Sequence, residues 1–397
     1  MTQMIHSGVE RAHVSKATQA SSMERRAIPM LSEVRVRRVA QPLTDKWRHT
    51  PIAPRRETLL GVSFRPLQAT ALGLDGPSAL RTLLAYPFQL IRLAAYWNRI
   101  ESAPGQYHFD ALDWQVDAAE QAGKQIILNV GAVKAFGYPE YFAPAHALGE
   151  PLREGSLISP ATHPALLAAA TAFVSQVVER YRHQAAITVW QVEHEATDPL
   201  GMEHSWRLAA SFAQAEVAAV RAADSTRRPI MMNGFLPTSL PVRAQQWWRT
   251  RDQGDSLAVA QRLADIVGID YYPRHALIGL GPRAVYLDGS ASASQRSRRR
   301  RLAAWANGAP GRRMMISEGQ AEPWESVTTP PNPRGQRMAS CLPEHLIENY
   351  SQCMAWSQAE GASLYAYLFW GAEYWVARQQ SGDASYAQAF ARILEES

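Results

Sequence analysis

Eight short apolar runs, each followed by a stretch with helical periodicity, leave this chain few folds to adopt. The runs are 58–64, 88–94, 125–130, 186–195, 229–233, 266–271, 313–317 and 363–369. The helical stretches are 77–86, 111–122, 164–184, 203–224, 256–264, 296–305, 345–360 and 386–394. The runs are almost continuously apolar rather than alternating. A strand covered on both faces needs that pattern, and strict β/α alternation makes such a sheet parallel. Eight units over about 340 residues fit an α/β protein of the (β/α)8 TIM-barrel type with insertions. The rival is a doubly wound open sheet with a Gly-rich phosphate loop after its first strand. Gly61 stands alone there, in Gly61-Val62-Ser63-Phe64-Arg65-Pro66, which disfavours a nucleotide-binding sheet.

Charge separates the first 56 residues from the rest. They hold 11 Lys and Arg against four Asp and Glu, so they carry +7 of a total of +5 and the remainder carries −2. Four prolines and no sustained periodicity mark residues 1–56 as a loosely attached basic extension, with the catalytic barrel expected over 57–397. Clustered Arg could meet nucleic acid, but no aromatic stacking pattern accompanies the charge, so a solvated extension is preferred. The two cysteines, Cys341 and Cys353, are too few for a disulfide framework and read as buried thiols. No run reaches 18 apolar residues, and no signal-peptide core is visible, so a cytoplasmic location and no membrane partner are expected.

In such a barrel the chemistry sits where the strands end at their C-terminal face. The fourth run ends Gln191-Val192-Glu193-His194-Glu195, and the seventh ends Ser317-Glu318. A carboxylate closing an apolar strand is costly to bury and calls for a partner or a job. The other strand ends supply Arg92 with Tyr96 and Trp97, then Asn233, then Asp270-Tyr271-Tyr272, then Trp370. Two carboxyls, an Arg, a His, a Tyr and several Trp on one face suit glycoside cleavage. One acid protonates the leaving oxygen, a carboxylate supports the anomeric carbon, and aromatic faces stack on sugar rings.

These residues resemble the retaining glycoside hydrolases of clan A. Arg92 to Trp97, then Glu101-Ser102-Ala103-Pro104-Gly105-Gln106-Tyr107-His108-Phe109 and Leu112-Asp113, are similar to the pattern of families 42, 35 and 5. Trp190-Gln191-Val192-Glu193-His194-Glu195 is similar to the Q-V-E-N-E of family 35, and Gly268-Ile269-Asp270-Tyr271-Tyr272 and Phe369-Trp370-Gly371 to segments of strands six and eight. The resemblance spans about residues 58–376. It implies Glu195 as acid/base, Glu318 as nucleophile, Arg92 and Tyr272 beside Glu318, and Trp370 as the floor of the cleavage subsite. It adds Trp97, His194 and Asn233 as substrate-binding groups, a carbohydrate substrate, and no metal or other cofactor. Three departures bear on the sugar: His194 and Asp270 stand where the clan usually has Asn, and Gly131-Ala132-Val133-Lys134 replaces a segment that carries His in family 5.

Several residues have competing readings. Glu193, two residues before Glu195, would point the same way in a regular strand and rivals it as the acid. Glu322 rivals Glu318. Trp324 and Trp375 are read as core or rim, and Arg298–Arg301 as a solvated helix start. A transglycosylase using the same site and a catalytically silent carbohydrate-binding barrel are the alternative functions.

Overall fold

The computed structural model describes residues 34–38, 40–199, 204–237, 239–280, 282–289, 293–323 and 336–397. Each of the eight apolar runs forms a strand: β1 (Leu59–Ser63), β2 (Leu90–Ala94), β3 (Gln125–Asn129), β4 (Ile187–Gln191), β5 (Ile230–Phe235), β6 (Ile266–Tyr271), β7 (Arg313–Gln320) and β8 (Leu364–Trp370). They pair in parallel, in sequence order, and close as β8 meets β1 through Ala366 and Leu59. The outer ring comprises α1 (Gly76–Leu84), α2 (Asp110–Gln121), α3 (Pro164–Tyr181), α4 (Ala210–Ala223), α5 (Ser256–Leu263), α6 (Ala293–Asn307), α7 (Pro343–Ala359) and α8 (Ser385–Glu396). Local chemistry sets several ends. Asp75 and Asp255 accept the Ser78 and Ala258 amides as N-caps, and Gly123 ends α2 at φ 69°.

Side-chain alternation divides the strands into two layers. Leu90, Ile127, Val189, Met231, Ile266, Met315, Ala366 and Leu368 form one small cluster that plugs the barrel interior. Their neighbours, such as Ile126, Leu128 and Val267, belong to the larger core against the helices. Two residues above the plug on the same faces come Arg92, Asn129, Gln191 and Asn233, and four above Ile266 comes Asp270. The apolar plug seals the bottom, and the period of two delivers a polar layer to the C-terminal mouth.

Two irregularities aim the acids. On β7 the register against β6 jumps from Ile269↔Ile316 to Asp270↔Glu318, so Ser317 is the extra residue of a bulge. Without it, Glu318 would share the outward parity of Ile316. On β4 the strand stops at Gln191, short of the expected 195, and Glu193 and Glu195 take left-handed φ values of 55° and 45°. Such backbone costs roughly 1–3 kcal/mol per non-glycine residue and gathers at functional sites.

Other departures are local. The helix expected over 203–224 begins at Ala210, because Arg207–Leu208 instead forms a short parallel pair with Leu157–Ile158. The extension expected over 1–56 is described from residue 34. From there it is laid on the barrel: Val34–Arg38 pairs with Arg283–Asp288, Ala40–Pro42 with Gln336–Met338, and Trp47 is buried. Ordered structure therefore starts before residue 57; residues 1–33 lie outside the described residues. Cys341 and Cys353 are buried and form no disulfide, and no described helix is long and apolar enough to cross a membrane.

Gly131, just after β3, lies against the segment that follows β4. A Cβ there would lie 1.9 Å from the Glu193 backbone nitrogen. Gly131→Ala is expected to lower stability by about 1–3 kcal/mol, as overpacking does. A urea unfolding midpoint equal to that of the unsubstituted protein would show that this close approach is not required.

Candidate active site

Arg92 has no exposed surface and lies at the centre of the mouth. One Nη donates to Glu318 Oε1 at 2.8 Å, and Nε donates to Gln191 Oε1 at 2.7 Å. Its guanidinium lies over Phe136, 4.0 Å from the ring centre. Glu318, 2% exposed, also accepts the Tyr272 hydroxyl on Oε2 at 2.5 Å. Burial pushes Glu318 above the ordinary carboxylate range, while Arg92 and Tyr272 oppose that shift.

The arginine orients a chain of amides, because it can only donate. Gln191 presents its oxygen to Arg92, so its amide nitrogen faces the Glu193 carbonyl at 2.9 Å and Asn233 Oδ1 at 3.2 Å. Asn233 Nδ2 then points to Asp270 Oδ2 at 2.7 Å and His194 Nδ1 at 2.9 Å. His194 Nδ1 is thereby an acceptor, and the ring proton belongs on Nε2, on the side away from Asn233. Burial, with Arg92 and Lys134 nearby, drives the imidazole well below its usual value, so it is neutral. A neutral ring with a free-standing Nε2–H is suited to donate to a sugar hydroxyl.

Glu195 is partly exposed, unlike Glu318. Lys134 reaches past it, donating to the Glu195 and Asp198 backbone carbonyls at 2.7 and 3.0 Å. Desolvation, and then the negative charges of Asp270, Asp198 and Glu318, hold the Glu195 carboxyl well above its usual range. The two glutamates thus differ in partners: a cation and a phenol grip Glu318, and like charges surround Glu195.

Glu193 does not share that role. Its left-handed backbone turns it behind the strand, where it accepts the Val133 and Lys134 amides at 2.9 and 2.5 Å and hydrogen-bonds Glu216 of α4. Two buried carboxyls in contact share a proton, and burial raises both. Trp97 corrects an expectation as well. It is fully buried, stacked on Phe173 at 5.4 Å, and its indole donates to Glu101 at 2.6 Å, so it is core rather than cleft. Asn233 stands at the site, with its oxygen and amide nitrogen hydrogen-bonded to Gln191, Asp270 and His194. Trp370 is partly exposed at the end of β8, with the Arg65 guanidinium 4.3 Å from its ring and Phe136 edge-on. Glu322 and Glu373 both pair with Arg65, which accounts for Glu322. Trp375 is buried with its indole on the Ala321 carbonyl, and Trp324 lies outside the described residues. Arg298 pairs with Asp255, and Arg299 lies over Tyr271 and Trp356, so that run is only half solvated.

Asp270 is the site residue that sequence reasoning left out of its set. It is fully buried, with Oδ1 on the Ser317 hydroxyl at 2.7 Å. Its signal was visible: a carboxylate inside an apolar strand. His194, Asp270 and Glu318 also bring ligand-type atoms within 4.8 Å of one another. The four carboxylate oxygens of Glu318 and Asp270 already accept from Arg92, Tyr272, Ser317 and Asn233, so a cation would have to compete with those donors.

Comparison with known proteins agrees with this architecture. The family model of glycoside hydrolase family 42, described as Beta-galactosidase, matches residues 81–219, about a third of the chain, from α1 into α4 and including Arg92 and Glu195. No curated protein matches the chain in sequence. GH5_18 from Streptomyces cattleya, solved in complex with GlcNAc, superposes with a TM-score of 0.52 at 14% identity over 87% of this chain and 82% of that one. That likeness is one of fold, a closed (β/α)8 barrel. Exo-beta-1,4-mannosidase Op5Man5 from Opitutaceae bacterium strain TAV5 gives a TM-score of 0.49 at 14% identity, over 79% of this chain and 52% of that one. The beta-galactosidase from psychrophilic Marinomonas ef1 gives 0.48 at 14%, over 85% and 59%. The chain thus spans about half the length of the mannosidase.

The Glu193–Glu216 pair has a measurable consequence. Acids raised by folding contribute stability that is complete below the unfolded carboxylate range, roughly pH 4–4.5, and lost as pH rises through their folded values. In Glu216→Gln the amide can still donate to Glu193, and one raised acid is gone. The difference in melting temperature between variant and unsubstituted protein is expected to grow in the variant's favour from pH 5 to pH 8. His194, lowered by folding, acts in the opposite sense but equally in both proteins. A difference that stays flat across that window would mean the pair is not a shared-proton pair.

Proposed function

We propose that this chain hydrolyses β-glycosidic bonds with retention, with Glu318 as nucleophile and Glu195 as acid/base. One observation carries the reading: Arg92 and Tyr272 converge on Glu318, while the nearby Glu195 is left among like charges. Environments that push two carboxyls apart in proton affinity assign them opposite roles. Glu318 attacks the anomeric carbon as Glu195 protonates the departing oxygen. A glycosyl ester on Glu318 results. Glu195, now ionised, takes a proton from water, which attacks the same carbon and frees Glu318. The His194 Nε2–H supplies a donor for a hydroxyl beside the reacting carbon, and the partly exposed Trp370 offers an aromatic face to the ring. The substrate is read as a β-galactoside, β-glucoside or β-mannoside, alone or in an oligo- or polysaccharide.

Glu318→Gln is expected to lower kcat on an aryl β-glycoside by roughly 10³-fold or more. A 2-fluoro glycoside should label the peptide containing Glu318, detected by mass spectrometry, and proton NMR should show the first product with the β-configuration. Label on another residue, or an α-anomer as first product, would overturn the assignment.

A further inference from the structure

We propose that Asp270 is a positioning residue for the acid/base: it receives the Glu195 proton in a hydrogen bond while the site is empty and transmits the charge state of Glu318 to Glu195. This rests on the reading of Glu195 and Glu318 above. The geometry is that of a carboxylate seated between two others. Ser317 donates to Oδ1 at 2.7 Å and Asn233 to Oδ2 at 2.7 Å, so neutral-to-anion donors already mark Asp270 as the acceptor. It also shares a hydrogen bond with Glu195. Two carboxyls can share a hydrogen bond only if one keeps a proton, and with Asp270 accepting, that one is Glu195. On its other side, an Asp270 oxygen lies within 4.8 Å of Glu318 and of His194.

The other charged groups leave this arrangement intact. Arg92 faces Asp270 but is engaged with Glu318 and Gln191. Lys134 faces Glu195 but is bonded to backbone carbonyls, and Asp198, beyond it, is held by Gln246. His194 is neutral. Burial and the Glu318 charge raise Asp270 well above its usual range, and Asp270 in turn raises Glu195.

In the first step the Glu195 proton passes to the glycosidic oxygen, the carbon–oxygen bond breaks, and Glu318 becomes a neutral ester. The three carboxyls carry two negative charges before the step, on Glu318 and Asp270, and two after it, on Asp270 and Glu195. Water then returns a proton to Glu195 as its oxygen replaces Glu318 on carbon. Asp270 feels both changes: the loss of the Glu318 charge offsets the gain on Glu195.

Asp270→Asn removes the charge and keeps the shape. It is expected to move the alkaline limb of the kcat/KM profile to lower pH by about one unit or more. At pH 8 the loss should be at least tenfold larger for a poor leaving group, such as phenol, than for 2,4-dinitrophenol, which needs no acid. Ser317→Ala, which makes Asp270 hold a proton more readily and so weakens its charge, should shift the same limb in the same direction by less; it keeps the test open if Asp270→Asn fails to fold. An unshifted alkaline limb, or equal losses with both leaving groups, overturns the proposal. Glu195→Ala serves as the control for the underlying reading. Azide should restore its turnover of the dinitrophenyl substrate; without that rescue, the assignment of Glu195 fails independently of Asp270.

Discussion

The buried guanidinium of Arg92 fixes nearly every polar orientation in the mouth of the barrel. It has five donors and no acceptor, so each neighbour must present an oxygen or a lone pair. Glu318 and Gln191 do so at 2.8 and 2.7 Å. The amide of Gln191 is then committed, the amide of Asn233 follows, and the tautomer of His194 comes last. Fixing one cation thus decides the donor and acceptor pattern of four side chains on strands β4, β5 and β7 and the loop after β4. A buried ion pair is weak as a source of stability, and losing one partner typically costs about 3–5 kcal/mol. Its value here lies in preorganisation: Glu318 cannot rotate away, and the site needs no reorganisation when charge develops.

The scaffold that holds this cation was legible in the sequence. Apolar runs of five to ten residues became the eight strands, with ends shifted by a few positions, because a parallel strand covered on both faces has little choice of composition. Arg92, His194, Glu195, Tyr272, Glu318 and Trp370 were legible too, as polar residues interrupting or closing such runs. The misread positions were those where backbone geometry overrides the period of two. Glu193 looked equivalent to Glu195 by parity, but two left-handed residues sit in that segment and send the carboxyls to opposite sides. The bulge at Ser317 is equally invisible beforehand, since it is a relation between β6 and β7 and not a property of either.

Trp97 and Asn233 illustrate a different limit. An aromatic or amide group just past a strand end has two possible environments, and sequence does not reveal which neighbours arrive. Glu101, four residues on, and Phe173, from α3, claim Trp97; Gln191, Asp270 and His194 claim Asn233. The short helix Leu240–Thr250, unforeseen in the sequence, shows the same effect. It carries Gln246 inward to Asp198, three residues beyond Glu195, and so braces the loop that bears the acid.

Crowding three carboxyls into one buried mouth demands an electrostatic reason. Arg92 and Lys134 supply two positive charges beside them, His194 is neutral, and Glu195 is driven toward its protonated form. With Glu318 and Asp270 ionised, the cluster is close to neutral. In the proposed cycle a charge disappears from Glu318 as one appears on Glu195, so the total does not change while the glycosyl ester exists. An uncompensated charge in a low-dielectric site is expensive, and a cluster that needed to gain or lose one at each step would add that cost to its barrier. Asp270 places its charge beside the acid, and Lys134, also close to Glu195, opposes it with a positive one. Asp270 and Lys134 therefore belong together: one holds a negative charge beside the acid, and the other is a cation that opposes it.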